Sequence, residues 1–178
     1  MRRVLIGNGG HARSCRDVMG IDRGTLHYLA DDPGTDDLWL GTFASLCDLA
    51  DAEFHLAIGP SQARTALARD LLASGIDWFS AVSMLAVVRS DNLGKGVFVG
   101  HSAYLGPGSV MGDLSIINTR AIVEHDCRIG VGAFVGPGAV LCGGVTVGDY
   151  AMIGAGAIVV PRMTIEVGAR VPAGATLR

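Results

Sequence analysis

The sequence predicts a small α/β unit with a parallel sheet, followed by a parallel β-solenoid built from six-residue repeats. Two observations carry the solenoid. From Val87 every sixth residue is aliphatic or Met, through Leu93, Val99, Leu105 and Met111 and onward to Leu177, without exception. The residue two before each is mostly small, as at Ala103, Ser109, Ala121 and Cys127, and the residue after it is often Gly, as at Gly94, Gly100 and Gly106. A helix repeats at about 3.6 residues and a strand at about 2, so a beat of six fits neither alone and fits a hexapeptide solenoid. A third observation carries the α/β unit: before residue 82, short apolar runs alternate with helical patterns, the signature of β-α-β units.

Taken in order, residues 3–6 read as a buried strand. Gly7-Asn8-Gly9-Gly10-His11-Ala12 follows, and a helix runs on to about Met19. This is G-x-G-x-x-A, a form of the dinucleotide-binding fingerprint, in which glycines let the backbone approach a phosphate at a helix N-terminus. A second strand over 25–30 ends at Asp31-Asp32, where a carboxylate meets a ribose hydroxyl in such sites. Residues 43–50 look helical, and 53–58 form a strand that closes at Gly59-Pro60. Ser61 is placed to cap a helix over 62–73, with Leu67, Leu71 and Leu72 on one side; Gly75 stops it, and 77–80 make a fourth strand. The boundary between the domains falls at residues 1–81 and 82–178. The first unit is too small to hold a whole dinucleotide, so a mononucleotide or a nucleotide-linked substrate fits it better. Arg64, in the first turn of the second helix, either faces a diphosphate or is a solvated surface residue.

In the solenoid each hexad is a short strand plus a corner. The aliphatic residue, Val87 included, points inward, and Gly or a residue tolerant of positive φ suits the corner. One passage breaks the pattern: Asn118 and Glu124 replace corner glycines in succession, and His125 then sits on a corner between Glu124 and Asp126. An acid beside a histidine orients its ring and raises its basicity, which suits a general base for an amine or hydroxyl. Gly143 follows His125 by one coil of three hexads, in the same column, so its N–H can face an oxyanion; Gly143 and Gly144 also leave room for a ligand. His101 shares the hexad phase of His125 and is either a second polar group or plain surface.

Composition narrows the class. The 26 glycines fall mostly in the repeat, which speaks for a solenoid rather than disorder. A net charge of −3 gives no support to nucleic-acid binding. Cys15, Cys47, Cys127 and Cys142 form no CxxC pair and match no zinc spacing; Cys127 takes a small inward position. No apolar run approaches the roughly 20 residues of a membrane span, and no signal peptide is visible. These features predict a reduced, cytoplasmic enzyme.

The six-residue pattern resembles the left-handed parallel β-helix of the hexapeptide acyltransferases. Gly7-Asn8-Gly9-Gly10-His11-Ala12-Arg13, Ala57-Ile58-Gly59 with Arg64, Ile117-Asn118-Thr119, Val123-Glu124-His125-Asp126-Cys127, and Gly136-Pro137-Gly138-Ala139 with Gly143-Gly144-Val145 occur in that order. Together they resemble the sialic acid O-acetyltransferase (NeuD) family, which includes bacterial N-acetyltransferases of nucleotide-linked 4-amino-sugars. The resemblance implies a Rossmann-like nucleotide-sugar-binding domain, a left-handed β-helix acyltransferase domain, and a homotrimer. It implies acetyl-CoA as co-substrate and no metal. His125 is then the base on the sugar amine, tuned by Asp126 or Glu124. Gly9 and Gly10 lie near the diphosphate, where Arg64 also offers its charge. Asp31 and Asp32 lie near the base or ribose, His11 near the sugar or phosphate, and Asn118 at the sugar. The Gly143 N–H faces the thioester carbonyl, beside Gly144. The chain departs from the pattern at Phe134, where many members carry a second histidine at the acyl group.

Three other functions compete with N-transfer on the same residues. One is O-acetylation of a sialic-acid-like or other sugar hydroxyl, which the same base serves. Another is nucleotide-sugar binding without transfer. The last is a zinc enzyme on the same solenoid, which needs three histidines where this one has only His101 and His125.

Overall fold

In the computed structural model the chain divides into two compact units, residues 1–81 and 82–178. The structure describes residues 2–20, 26–31, 38–49, 51–60 and 62–178; Asp32 and Ser61 lie outside them.

The first unit runs β1 (Arg2–Ile6), α1 (Gly10–Val18), β2 (His27–Leu29), a 3₁₀ helix (Phe43–Asp48), β3 (Ala52–Leu56), α2 (Gln62–Ala73) and β4 (Asp77–Trp78). The four strands form one parallel sheet in the order β2-β1-β3-β4. Val4, Leu5 and Ile6 are fully buried in β1, as a continuous apolar run should be in a parallel strand. The helical segment expected after β2 is present as a 3₁₀ helix over Phe43–Asp48, tied by bonds such as Ser45 N–H to Thr42 O at 3.0 Å; so short a segment gains little from propagating an α-helix. One expectation is corrected on α2. The buried stripe of α2 is Arg64, Ala68 and Leu71, a clean i, i+4, i+7 row, which leaves Leu67 and Leu72 at its margins.

The second unit is a three-sided coil of two-residue strands. One face stacks Phe98–Val99, Ile116–Ile117, Phe134–Val135, Met152–Ile153 and Arg170–Val171. The next stacks Val87–Val88, Tyr104–Leu105, Ile122–Val123, Val140–Leu141, Ile158–Val159 and Thr176–Leu177. The third stacks Val110–Met111, Arg128–Ile129, Thr146–Val147 and Thr164–Ile165. Ile117 pairs with Val99 below and Val135 above, eighteen residues away in each direction. The hydrogen bonds run between coils, as in Gly100 N–H to Ile117 O at 2.9 Å. The core is the stack of inward residues, among them Val99, Leu105, Ile117, Val123, Val135 and Leu141, all fully buried. Each contributes roughly 1.5–3 kcal/mol of burial against its neighbours.

The first turn breaks the beat. Val87 pairs with Tyr104 and Val88 with Leu105, so the offset there is seventeen. Val88 packs on the core and Val87 is 45% exposed. A slip of one residue reverses the facing of a strand, and the inward position belongs to Val88 instead of Val87.

The corner glycines also differ from expectation in their reason. Positive φ occurs three residues after each inward residue from Leu93 to Val171, at Gly96, Gly108, Gly132, Asp126 and Arg162 among others. It does not occur at Gly94, Gly100 or Gly106, nor at Asn118 or Glu124. Those glycines are required by close approach: a Cβ on Gly100 falls 2.5 Å from Thr119 N of the coil above.

Candidate active site

His125 stands on the corner between the second and third faces. Its Nδ1 lies 2.8 Å from Asp126 Oδ2. Asp126 adopts φ of 59°, a left-handed conformation that Asp tolerates better than most residues, and this conformation turns its carboxylate back onto the preceding ring. A carboxylate at Nδ1 selects the tautomer with the proton there and leaves the Nε2 lone pair outward. Both side chains are solvent-exposed, at 62% and 71%. Glu124, on the other flank, has its carbonyl bonded by Ser109 Oγ at 2.7 Å.

The ring of His125 rises toward the next coil and lies on Gly143. A Cβ on Gly143 would sit 2.5 Å from Cε1 and 3.1 Å from Cδ2, and nearer still to Nε2. The Gly144 N–H bonds the His125 carbonyl at 2.9 Å, which fixes the two corners in register. Gly144 has φ of +73°, and among the described residues no acceptor is bonded to the Gly143 N–H. The result is an imidazole whose Nε2 lies over a bare glycine step. Cys127 lies inward beneath it, fully buried, with its thiol pKa raised by burial.

Other expected residues lie elsewhere on the coil. Asn118 occupies the corner before His125, between the first and second faces, and its Oδ1 accepts from Thr119 N–H at 2.7 Å. Phe134 is buried on the first face, in register with Ile116 and Met152, away from the corner that carries His125. His101 is not plain surface: its Nδ1 meets Ser83 Oγ at 2.6 Å.

In the first unit the glycine turn joins β1 to α1. Gly7 has φ of +109°, and a Cβ there would meet Ile58 Cγ1 at 2.9 Å, so the fold itself demands glycine. Gly9 differs: its φ is −81° and a Cβ would meet nothing within 4 Å. No side chain caps α1, and its first-turn N–H groups are the orphan donors of any helix start. Asn8 is held by Arg16 Nη1 at 3.0 Å, and that guanidinium lies 5.6 Å over the Tyr28 ring. Asp31 is exposed just beyond the C-terminal end of β2.

Arg64 is neither solvated nor placed for a diphosphate. It is 3% exposed, and its Nη1 donates to Leu56 O and Ile58 O at 2.8 Å each. It therefore braces the end of β3, and burial lowers its pKa to about 10. Beside it lie three groups whose meeting was not expected from the sequence: His11 and Cys15 on α1 and His55 on β3. Burial, then the charge of Arg64, then His55, lower the His11 pKa to about 3. Burial lowers that of His55 to about 4, opposed by its bond to Phe79 O and aided by Arg64. Burial raises the Cys15 thiol to about 12, opposed by Arg64 and Arg16. His11 and Cys15 stand one helical turn apart, a spacing visible in the sequence; the arrival of His55 from β3 was not.

Residues 126–161 match the bacterial transferase hexapeptide (six repeats) family. GDP-perosamine N-acetyltransferase from Caulobacter crescentus is 34% identical, with a TM-score of 0.89, over 100% of this chain and 89% of that one. The chain belongs to the hexapeptide transferase family. Its solenoid is the left-handed parallel β-helix of that family. The Caulobacter enzyme was solved with CoA and GDP-perosamine, both as the protein itself and with one histidine replaced by alanine or asparagine. The acetyltransferase domain of PglB from Neisseria gonorrhoeae, solved with acetyl coenzyme A, is 27% identical with a TM-score of 0.76, over 98% of this chain and 97% of that one. WeeI from Acinetobacter baumannii shares the fold at 23% identity and a TM-score of 0.62, over 99% of this chain and 95% of that one. No curated protein matches the chain. Among the described residues, no helix is long and apolar enough to cross a membrane.

Proposed function

We propose that the protein transfers the acetyl group of acetyl-CoA to the amine of a nucleotide-linked amino-sugar. The observation that carries this reading is the full-length likeness to a perosamine N-acetyltransferase solved with CoA and GDP-perosamine. The solenoid geometry supports a direct mechanism. The amine attacks the thioester carbonyl while His125 Nε2 takes its proton, and the Asp126 carboxylate at Nδ1 steadies the imidazolium that forms. The Gly143 N–H donates to the developing oxyanion. Collapse of the tetrahedral intermediate breaks the C–S bond, the thiolate of CoA leaves and is protonated, and an amide remains. The transfer itself needs no metal.

The first unit is a reduced Rossmann-like domain that takes the nucleotide. The bare Gly9 supports this, because nothing in its own surroundings requires glycine, whereas a phosphate approaching the backbone does. Gly10 and the start of α1 supply N–H donors to the diphosphate. His11, neutral by burial, is a hydrogen-bonding group there rather than a counter-charge, and Asp31 with Asp32 meets the ribose or base. Arg64 positions the β3 end rather than touching ligand.

The chain works as a trimer of the sialic acid O-acetyltransferase type, in the cytoplasm. The outward column of the second face supports association: Val87, Tyr104, Ile122, Val140 and Ile158 stack in register, an apolar stripe that a second copy can cover. Asn118 and His125 lie on successive corners, so a site that uses both draws them from neighbouring copies.

The test is thiol release from acetyl-CoA with UDP-, GDP- and dTDP-linked 4-amino-sugars, wild type beside His125→Ala. Turnover on at least one amine is expected, with a loss of about 10²-fold or more in the variant. No turnover on any amine, or an equally active variant, overturns the reading.

A further inference from the structure

Cys15 and His55, to which the proposed transfer gives no role, lie beside His11. A ring nitrogen of each histidine and the cysteine sulfur all lie within 4.8 Å of one another. His11 and Cys15 are presented from one face of α1, one turn apart. His55 comes from β3 and is 1% exposed. Its Nδ1 sits 3.2 Å from the Phe79 carbonyl, which as an acceptor fixes the ring proton on Nδ1. Nε2 is then a lone pair, and among the described residues it has no hydrogen-bond partner. A buried nitrogen left this way costs roughly 1–3 kcal/mol. The same arrangement, one ring nitrogen held by a backbone carbonyl and the other left bare, is how proteins orient a metal-binding histidine.

We propose that His11, Cys15 and His55 form a site for a borderline-soft divalent cation of the zinc class, which clamps the first turn of α1 to β3. Two imidazoles and one thiolate are a ligand set that zinc takes in tetrahedral sites, with a fourth position left for water or another ligand. His11 is only partly buried and marks the side from which the ion enters. On binding, the Cys15 thiol gives its proton to solvent, and the thiolate formed beside Arg64 offsets one of the ion's two positive charges. Such a clamp would hold the Gly9-Gly10-His11 turn in one conformation. It acts through the fold of the first unit and stands whether or not that unit binds a nucleotide.

The experiment is titration of the full chain, stripped of metal by chelator, with zinc and then with cobalt as a spectroscopic substitute. One ion per chain is expected, with a thiolate-to-cobalt charge-transfer band. Cys15→Ser should abolish the band, and His55→Gln should weaken zinc binding by about 10- to 100-fold. No stoichiometric binding overturns the proposal, and so does cobalt bound without a thiolate band. Binding that survives both substitutions unchanged places the ion elsewhere and overturns it as well. If Cys15→Ser does not fold, the wild-type cobalt spectrum and His55→Gln still decide.

Discussion

Under the proposed mechanism, replacing Gly143 by alanine separates the catalytic geometry of the corner from its stability. The new methyl would sit 2.5 Å from His125 Cε1 and nearer still to Nε2, where ordinary contact begins at 3.4 Å, so the ring must retreat by about 1 Å. It can do so cheaply, because its side chain is 62% exposed and Gly143 is not among the positive-φ glycines. Alanine also restricts the unfolded chain, which at a compatible backbone stabilises by about 0.4–1 kcal/mol. The backbone N–H offered to the oxyanion is unchanged. Activity and stability should therefore part company. A misplacement of about 1 Å at a reacting group costs on the order of 10²-fold in rate, or about 2.7 kcal/mol of barrier, while the melting temperature holds or rises. The assay is steady-state thiol release together with thermal unfolding on the same preparation. A Gly143→Ala variant within threefold of wild-type kcat would refute the claim that Gly143 sets the position of the ring. A large fall in melting temperature would show that the glycine serves the fold instead.

Three further outcomes follow from the same geometry. Asp126→Asn should lower kcat by about tenfold to hundredfold by unsettling the tautomer of His125, measured in the same assay; a variant at full rate would remove Asp126 from the mechanism. Gly100→Ala should destabilise the solenoid by about 1–3 kcal/mol in denaturant unfolding, because its Cβ meets Thr119 N at 2.5 Å and Asn118 C at 2.9 Å, backbone atoms that cannot swing aside; unchanged stability would contradict the close-approach reading. Cys127, fully buried and with its thiol pKa raised by burial, should resist iodoacetamide in the native protein and react after unfolding, as followed by mass spectrometry.

The solenoid was legible because its signal is a period. An aliphatic side chain every sixth residue leaves few alternatives, and the corner holding His125 and Asp126 was visible as a break in that period. Val87 shows the limit of such reading. It matches the beat by residue type, yet the backbone enters the first turn one residue early, and pattern alone does not reveal a slip between two adjacent valines. The corner glycines were read as conformational when most are steric, because a contact with the coil eighteen residues on is invisible in a local window. Arg64 was misplaced for a related reason: an arginine on a helix is usually solvated, and only the open carbonyls of Leu56 and Ile58 explain its burial. Asn118, by contrast, sits one corner before His125, as the sequence placed it, because six residues rotate the chain by one face of a three-sided coil.

That rotation makes the molecule a kind of modular arithmetic. Beyond the first turn, each position in the coil is defined by its remainder on division by eighteen, as the pairing of Ile117 with Val99 and Val135 shows. Removing or adding a whole coil preserves every remainder: residues above the cut keep their side of the prism and simply move along its axis. Removing six residues preserves the hydrophobic beat yet turns everything beyond it by one face. A chain shortened by six residues between His125 and Gly143 would still bury its core, but a different residue would stand over the histidine. The core and the His125 corner are thus encoded in two different moduli of one sequence, and only lesions of whole coils satisfy both.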